Sequence, residues 1–291
     1  MNPTAFDYHR ATSVDEAIAL LTSQGSEAKL LAGGHSLLPI MKLRLAEPES
    51  LIDIGRIREL RGVRHDGDAI VVGALTTHTE IARDSLIVSA VPLLAETASR
   101  IGDRQVRNRG TIGGALAHAD AASDYPASIL ALEATIVAKR SDGARSIPAR
   151  KFYLDFLTTA LAPDEVLTEV RIPAQAANAG WSYQKLANQA SGYAIVGVGA
   201  VVTLNEDGTC ADARIAVTGA APVAWRAERT ESALRGSRLG DAEIVAAAEL
   251  ADDGAEMLDD LHASAEYRRR VTRGLTRRAI EEAARRAASA S

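Results

Sequence analysis

The chain has 291 residues, 47% of them hydrophobic and 24% charged, with a formal net charge of −5. That is the composition of an ordinary globular protein with room for two or three lobes, and its acidic balance offers no field for nucleic acid. No apolar run reaches the roughly 18 residues of a membrane span, and Met1 to Asp7 lacks the charged and apolar regions of a signal peptide, so a cytoplasmic protein is expected.

The single cysteine, Cys210, excludes an internal disulfide. It also excludes an iron–sulfur cluster on this chain, which takes about four cysteinyl ligands. Cys210 reads as a small buried hydrophobe late in a strand. The six histidines show no HExxH or paired-ligand spacing, so no metal site is expected.

Residues 1–57 read as a first lobe. Ser13 and Glu16 are placed for a capping box on a helix through Ala17 to Leu21, which Gly25 ends. Lys29 to Ala32 reads as a strand, Leu37 to Leu45 as a helix, and Leu51 to Ile54 as the next strand. Between the first two lies Ala32-Gly33-Gly34-His35-Ser36, at a strand's carboxyl end where ligands commonly sit. Glycine takes positive φ, and without a Cβ its N–H can approach a bulky anion; the helix start adds partial positive charge. A phosphate or diphosphate suits this turn, although a Gly-Gly pair is equally a plain tight turn.

Residues 58–175 form a second lobe. Ala69 to Ala74 reads as a strand, Thr77 and Glu80 as a second capping box, and Val91 to Ile101 as a helix. Asp103 to Arg109 carries three arginines that face either a diphosphate or, more simply, solvent or another subunit. Thr111-Ile112-Gly113-Gly114-Ala115 then repeats the glycine theme, with a hydroxyl on Thr111 and backbone amides freed by the glycines. Two such loops can grip one diphosphate from two sides. With GxGxxG and GxxxxGK[ST] both absent, neither a Rossmann nucleotide site nor a P-loop is indicated, and the expected ligand is a dinucleotide held by a different fold. For His118 and Asp120 a loop-ordering role suits better than a catalytic dyad. Asp124 and Pro126 fit a helix start. Ala134 to Lys139 and Arg145 to Pro148 flank a turn at Ser141 to Ala144, and Glu165 to Ile172 alternates as a strand. Ala174 to Gly180 reads as a linker.

Residues 176–291 form a third lobe, starting at Trp181. Tyr193 to Leu204 and Ala213 to Thr218 read as strands around a hairpin turn at Asn205 to Gly208. Helices follow at Ala227 to Leu234, Asp241 to Leu250 and Ser264 to Ala288. Three strands in a meander with helices on one face make an α+β unit. Arg268 to Arg270 and Arg277-Arg278 read as a solvated or partner-facing surface.

The stretches AGGHSLLPIMKLRL and TIGGALAHADAASDYPA together resemble the FAD-binding medium subunit of molybdenum hydroxylases, the xanthine dehydrogenase superfamily, and within it the carbon monoxide dehydrogenase type. The resemblance runs from Phe6-Asp7-Tyr8 to the last helix. It implies an α+β fold: a two-lobed FAD-binding domain of the PCMH (vanillyl-alcohol-oxidase-like) type, then a small three-stranded α+β C-terminal domain. It implies FAD contacts from Leu31, Ala32, Gly33, Gly34, His35, Ser36 and Leu37, and from Thr111, Ile112, Gly113, Gly114 and Ala115. His118 joins this set. Many members carry Ser or Asn where this chain has Ala115, so a side-chain hydrogen bond is lost there. Asp124 is implied near the adenosine and ribityl portion, Leu167 as an apolar wall, Lys185 near the flavin, and Tyr193 beside the isoalloxazine ring. Plainer roles stand beside these: Asp124 as an N-cap, Leu167 as core, Lys185 as a surface lysine, Tyr193 as a strand aromatic, and His35 as a brace of its turn.

The function so implied is electron transfer through FAD, with no residue of this chain acting as acid, base or nucleophile. A large molybdenum-cofactor subunit and a small subunit with two [2Fe–2S] clusters are the implied partners, in an (αβγ)2 heterohexamer that passes electrons to a quinone, NAD or oxygen. Any place at the inner face of the membrane would come through the complex. The lone cysteine agrees, since the clusters must lie on another chain. Carbon monoxide is the first-ranked substrate of the complex, with an N-heterocycle or aldehyde as the alternative. An interaction module that has lost FAD is the reading from another class, and the two intact loops argue against it.

Overall fold

Three main sheets organise the computed structural model, which describes residues 2–290. The first lobe contains β1 (Asp7–Arg10), α1 (Val14–Gln24), β2 (Ala28–Leu31), α2 (Leu37–Lys42) and β3 (Ser50–Asp53), and its strands lie parallel in the order β1-β3-β2. Gly25 ends α1 at φ +72°, but the expected capping box opens by one residue. Ser13 accepts from the Glu16 N–H, whereas the Glu16 carboxylate turns to the N–H and hydroxyl of Thr12 at 2.7 and 2.6 Å.

The second lobe contains β4 (Val63–Asp66), β5 (Ala69–Gly73), α3 (His78–Arg83), α4 (Ser85–Ala90), α5 (Pro92–Ser99), α6 (Arg104–Arg107), α7 (Ile112–His118) and α8 (Tyr125–Ala131). Then come β6 (Thr135–Arg140), β7 (Gly143–Pro148), the hairpin β8 (Tyr153–Asp155) and β9 (Thr158–Thr159), and β10 (Val166–Pro173). The sheet order is β4-β5-β10-β6-β7, all antiparallel, so β10 closes the lobe by inserting between β6 and β5, a strand nearly a hundred residues earlier in sequence. The Thr77–Glu80 capping box is formed. A register shift in β10 between Leu167 and Glu169 breaks its alternation, and adjacent Val166 and Leu167 are both buried. Val166 joins the first lobe's core and Leu167 the second's.

The third lobe contains β11 (Ala179–Ala187), β12 (Ala194–Leu204), β13 (Cys210–Thr218), β14 (Trp225–Arg226), α9 (Glu228–Leu234), α10 (Asp241–Ala248) and α11 (Ala265–Ala290). The expected meander is present and gains the two-residue β14 as a fourth strand. Both faces of this sheet are covered. Val196, Val198, Ala200 and Val202 pack with α9 to α11, while Val201 and Ala216 pack with α8 of the second lobe. Coverage on both sides is why β12 is a nearly continuous apolar run.

Three details differ from expectation. Ala179 and Gly180 are the start of β11 rather than linker, because Gly180 is where α11 meets the sheet: a Cβ there would overlap the Ala283 carbonyl oxygen. Cys210 is buried but opens its strand instead of ending it. Arg268 is buried, donating to the carbonyls of Ile195 and Gly219 at 2.7 Å each and pairing with Asp260. It satisfies carbonyls left over at the ends of β12 and β13, whereas Arg270, Arg277 and Arg278 are exposed. Among the described residues no helix is long and apolar enough to cross a membrane.

Candidate functional site

A cavity of about 440 Å³, within the range of small-molecule sites, opens where the two glycine loops and the third lobe meet. Its first wall is the turn leaving β2. Gly34 adopts φ +77°, the left-handed conformation glycine permits at no steric cost. The N–H groups of Gly33, Gly34, His35 and Ser36 have no protein acceptor among the described residues, and all four residues line the cavity. Successive unpaired N–H groups in one turn make an anion-binding concavity.

The second loop is built differently from expectation. Its amides are not free: Ile112 donates to Thr76 O at 3.1 Å, Gly113 to Ala74 O at 2.8 Å, and Gly114 to the Thr111 hydroxyl at 3.2 Å. The Thr111 hydroxyl is therefore an N-cap for α7. The glycines serve packing. A Cβ on Gly113 would come within 2.6 Å of the Ala74 side chain, and a Cβ on Gly33 would overlap the Arg109 carbonyl oxygen. The two loops are thus pressed backbone to backbone.

The far wall is the 119–124 segment, clamped by the third lobe. Gly219 and Ala194 N–H donate to the carbonyls of Ala121 and Ala122, and the Thr218 hydroxyl donates to Ser123 O at 2.8 Å. Asp124, also in the wall, is buried and does not cap α8. Its carboxylate instead accepts from Tyr183 Oη at 2.6 Å and from Lys185 Nζ at 2.8 Å. Burial pushes the Asp124 carboxyl up, against the opposing pull of Lys185. Lys185 stands behind Asp124, also donating to Arg100 O at 3.1 Å, and is neither a cavity-lining residue nor a surface one.

Tyr183 was not singled out from the sequence, although its place two residues before Lys185 puts both on one face of β11. Gly197 on β12 makes room for its hydroxyl, which a Cβ there would approach to 2.5 Å. Tyr183→Phe is expected to cost about 1.5 to 3 kcal/mol of stability in denaturant titrations, the worth of a hydrogen bond to a charged group.

Of the other predicted positions, Ala32, Leu37, Thr111, Gly113, Gly114, Ala115, His118, Leu167 and Tyr193 line the cavity, while Leu31 and Ile112 lie outside its wall. His35 is exposed at the rim. Tyr193 is half-exposed and reaches Ser36 from the third lobe. Arg104, Arg107 and Arg109 do not line the cavity, and Arg107 is spent on the carbonyls of Ile101 and Gly102. Glu165 brings a carboxylate to the wall, but Arg145 grips it bidentately at 2.5 and 2.7 Å and holds it below its usual range.

His78 is a lining residue that the sequence reading missed, since it sits unremarkably after the Thr77 cap. Burial lowers its pKa to about 4, helped by nearby His35 and Arg107. A depressed histidine contributes stability that is present above the unfolded value near 6.5 and lost as pH falls through the folded value. Denaturant titrations should show about 3 kcal/mol of acid-side loss between these limits, absent in His78→Asn.

Residues 4–175 match the family of the FAD binding domain in molybdopterin dehydrogenase. The chain belongs to this family. Residues 181–283 match the CO dehydrogenase flavoprotein C-terminal domain. The chain is 44% identical over 283 residues to the carbon monoxide dehydrogenase medium chain of Hydrogenophaga pseudoflava, covering 97% of this chain and 98% of that one. It is 38% identical to the 6-hydroxypseudooxynicotine dehydrogenase complex subunit alpha of Paenarthrobacter nicotinovorans, covering 99% and 97%. Solved structures agree: carbon monoxide dehydrogenase from Hydrogenophaga pseudoflava superposes with a TM-score of 0.95 at 45% identity, covering 98% and 99% of the chains. Quinoline 2-oxidoreductase from Pseudomonas putida 86 gives 0.93 at 34%, covering 99% of each. The fold is that of the family, the cofactor is FAD, and the chain is an oxidoreductase flavoprotein subunit. The cavity fits FAD: a turn of unpaired N–H groups suits its diphosphate, and the volume suits a ligand largely buried.

Proposed function

We propose that the chain is the FAD-carrying medium subunit of a cytoplasmic complex, most simply an aerobic carbon monoxide dehydrogenase, with a large molybdenum-cofactor subunit and a small [2Fe–2S] subunit as partners. Bound FAD supplies the electron relay, taking electrons from the partner's clusters and releasing them to an external acceptor such as a quinone. The observation that carries the reading is the single cavity shared by the N–H turn, the second glycine loop and the third lobe.

In this reading the chain's own residues bind and orient. The amides of Gly33 to Ser36 hold the diphosphate, with Leu37, Thr111 and Gly113 to Ala115 shaping the pocket around it. Asp124, kept as an acceptor by Tyr183 and Lys185, receives hydroxyls of the ribityl or ribose portion. Leu167 and Ala115 form apolar wall, His118 orders the loop, and the partly exposed Tyr193 stands beside Ser36, where the flavin would meet its donor and acceptor. The lobes 1–57, 58–175 and 176–291 then act as one holder, because the 119–124 wall depends on contacts from the third.

A second reading has specific support: relatives named for 6-hydroxypseudooxynicotine and quinoline cover the chain as fully as the carbon monoxide enzymes do. The same subunit would then serve a complex that hydroxylates an N-heterocycle. The test is the visible flavin band of the assembled complex under anaerobic conditions. Bleaching by carbon monoxide supports the first reading, bleaching only by an N-heterocycle or aldehyde the second, and a complex without a flavin band contradicts both.

A further inference from the structure

His78 is 3% exposed, yet it lines the cavity. Its Nδ1 lies 3.0 Å from the hydroxyl of Tyr125, which is fully buried and has no other hydrogen-bond partner among the described residues. A buried phenol with one partner donates to it, so Nδ1 is the acceptor and the ring proton sits on Nε2. Nε2 has no protein hydrogen-bond partner among the described residues. Its surroundings are arranged to leave it clear. The ring lies against Gly110, where a Cβ would come within 2.5 Å of Nε2, and the His78 N–H donates to the Gly110 carbonyl at 3.0 Å, fixing ring against loop. The adjoining Arg109 carbonyl is the one pressed on Gly33, so His78 lines the cavity at the same end as the N–H turn.

We propose that His78 is a further FAD-binding residue, a neutral Nε2–H donor to an oxygen of the diphosphate, oriented by Tyr125 and given room by Gly110. The proposal rests on the FAD reading of the cavity. It explains why a buried, uncharged histidine faces a site whose remaining diphosphate donors are backbone amides. The low pKa keeps the ring neutral at physiological pH, so the donor is constant and adds no charge.

The test is titration of FAD, and separately of ADP, into the flavin-free full chain carrying His78→Asn or His78→Gln. Asparagine keeps an acceptor for Tyr125 and loses the Nε2 donor; glutamine places an amide N–H near the Nε2 position. The proposal expects His78→Asn to weaken both FAD and ADP about tenfold. It expects His78→Gln to stay within about threefold of the parent, although that variant, having lost the Tyr125 bond, melts lower when flavin-free. Parent-like affinity in His78→Asn overturns the proposal. So does loss in both variants in proportion to their melting temperatures, since that is a packing role. A loss for FAD but not ADP overturns the diphosphate assignment. Failure of the unaltered chain to bind FAD at all, even with its partners, defeats the underlying reading instead.

Discussion

A Gly33→Ala variant is expected to lose FAD by at least a hundredfold in affinity, about 3 kcal/mol. The methyl group would overlap the Arg109 carbonyl oxygen, which belongs to backbone and cannot swing aside as a side chain would. Relief requires separating the two loops, which breaks the cavity at the turn whose amides are unpaired. Gly34→Ala is the comparison. Its cost is the left-handed φ of +77°, about 1 to 2 kcal/mol, and its Cβ meets the movable end of Leu38. Equilibrium titration of FAD into each full-length variant checks the order: Gly33→Ala weaker than Gly34→Ala, and both weaker than the parent.

Lys185→Met is expected to destabilise the chain by about 3 to 5 kcal/mol at neutral pH, because it leaves the buried Asp124 carboxylate without its counter-ion. Adding Asp124→Asn should recover much of that loss, as removing both charges costs less than stranding one. The sign with pH is also determined. Burial raises Asp124, and without Lys185 nothing comparable opposes it, so the folded state takes up a proton more readily than the unfolded chain. Stability of Lys185→Met should therefore rise, relative to the parent, as pH falls through the folded pKa of Asp124. Denaturant titrations across pH on both proteins measure this. A pH-independent difference would mean that the ammonium acts only by packing.

These residues also show where sequence was and was not enough. The first glycine turn was legible because its requirement is local: a strand end, a positive φ at Gly34, and amides with nowhere else to go. The second loop looked the same in sequence but serves another purpose, since the acceptors that occupy its amides, Thr76 O and Ala74 O, come from a strand end some forty residues earlier. Asp124 read as an N-cap on local grounds and was claimed by Tyr183 and Lys185 from a different lobe, contacts no window of adjacent residues contains. Arg268 sits in an arginine cluster that reads as surface, while strand-end carbonyls needing a donor draw it inward. His78 and Tyr183 left almost no local trace, because their importance is set by the atoms they meet across the fold. The family resemblance carried fold and cofactor because it spans nearly the whole chain.

The measurement that bears most directly on the central claim is the FAD stoichiometry of the full chain, alone and assembled with its partner subunits, with Gly33→Ala in parallel. One FAD per chain, lost in Gly33→Ala while the variant stays folded, is the predicted result. A chain that holds no FAD in either form, or one whose FAD is indifferent to Gly33→Ala, would contradict the assignment of this cavity.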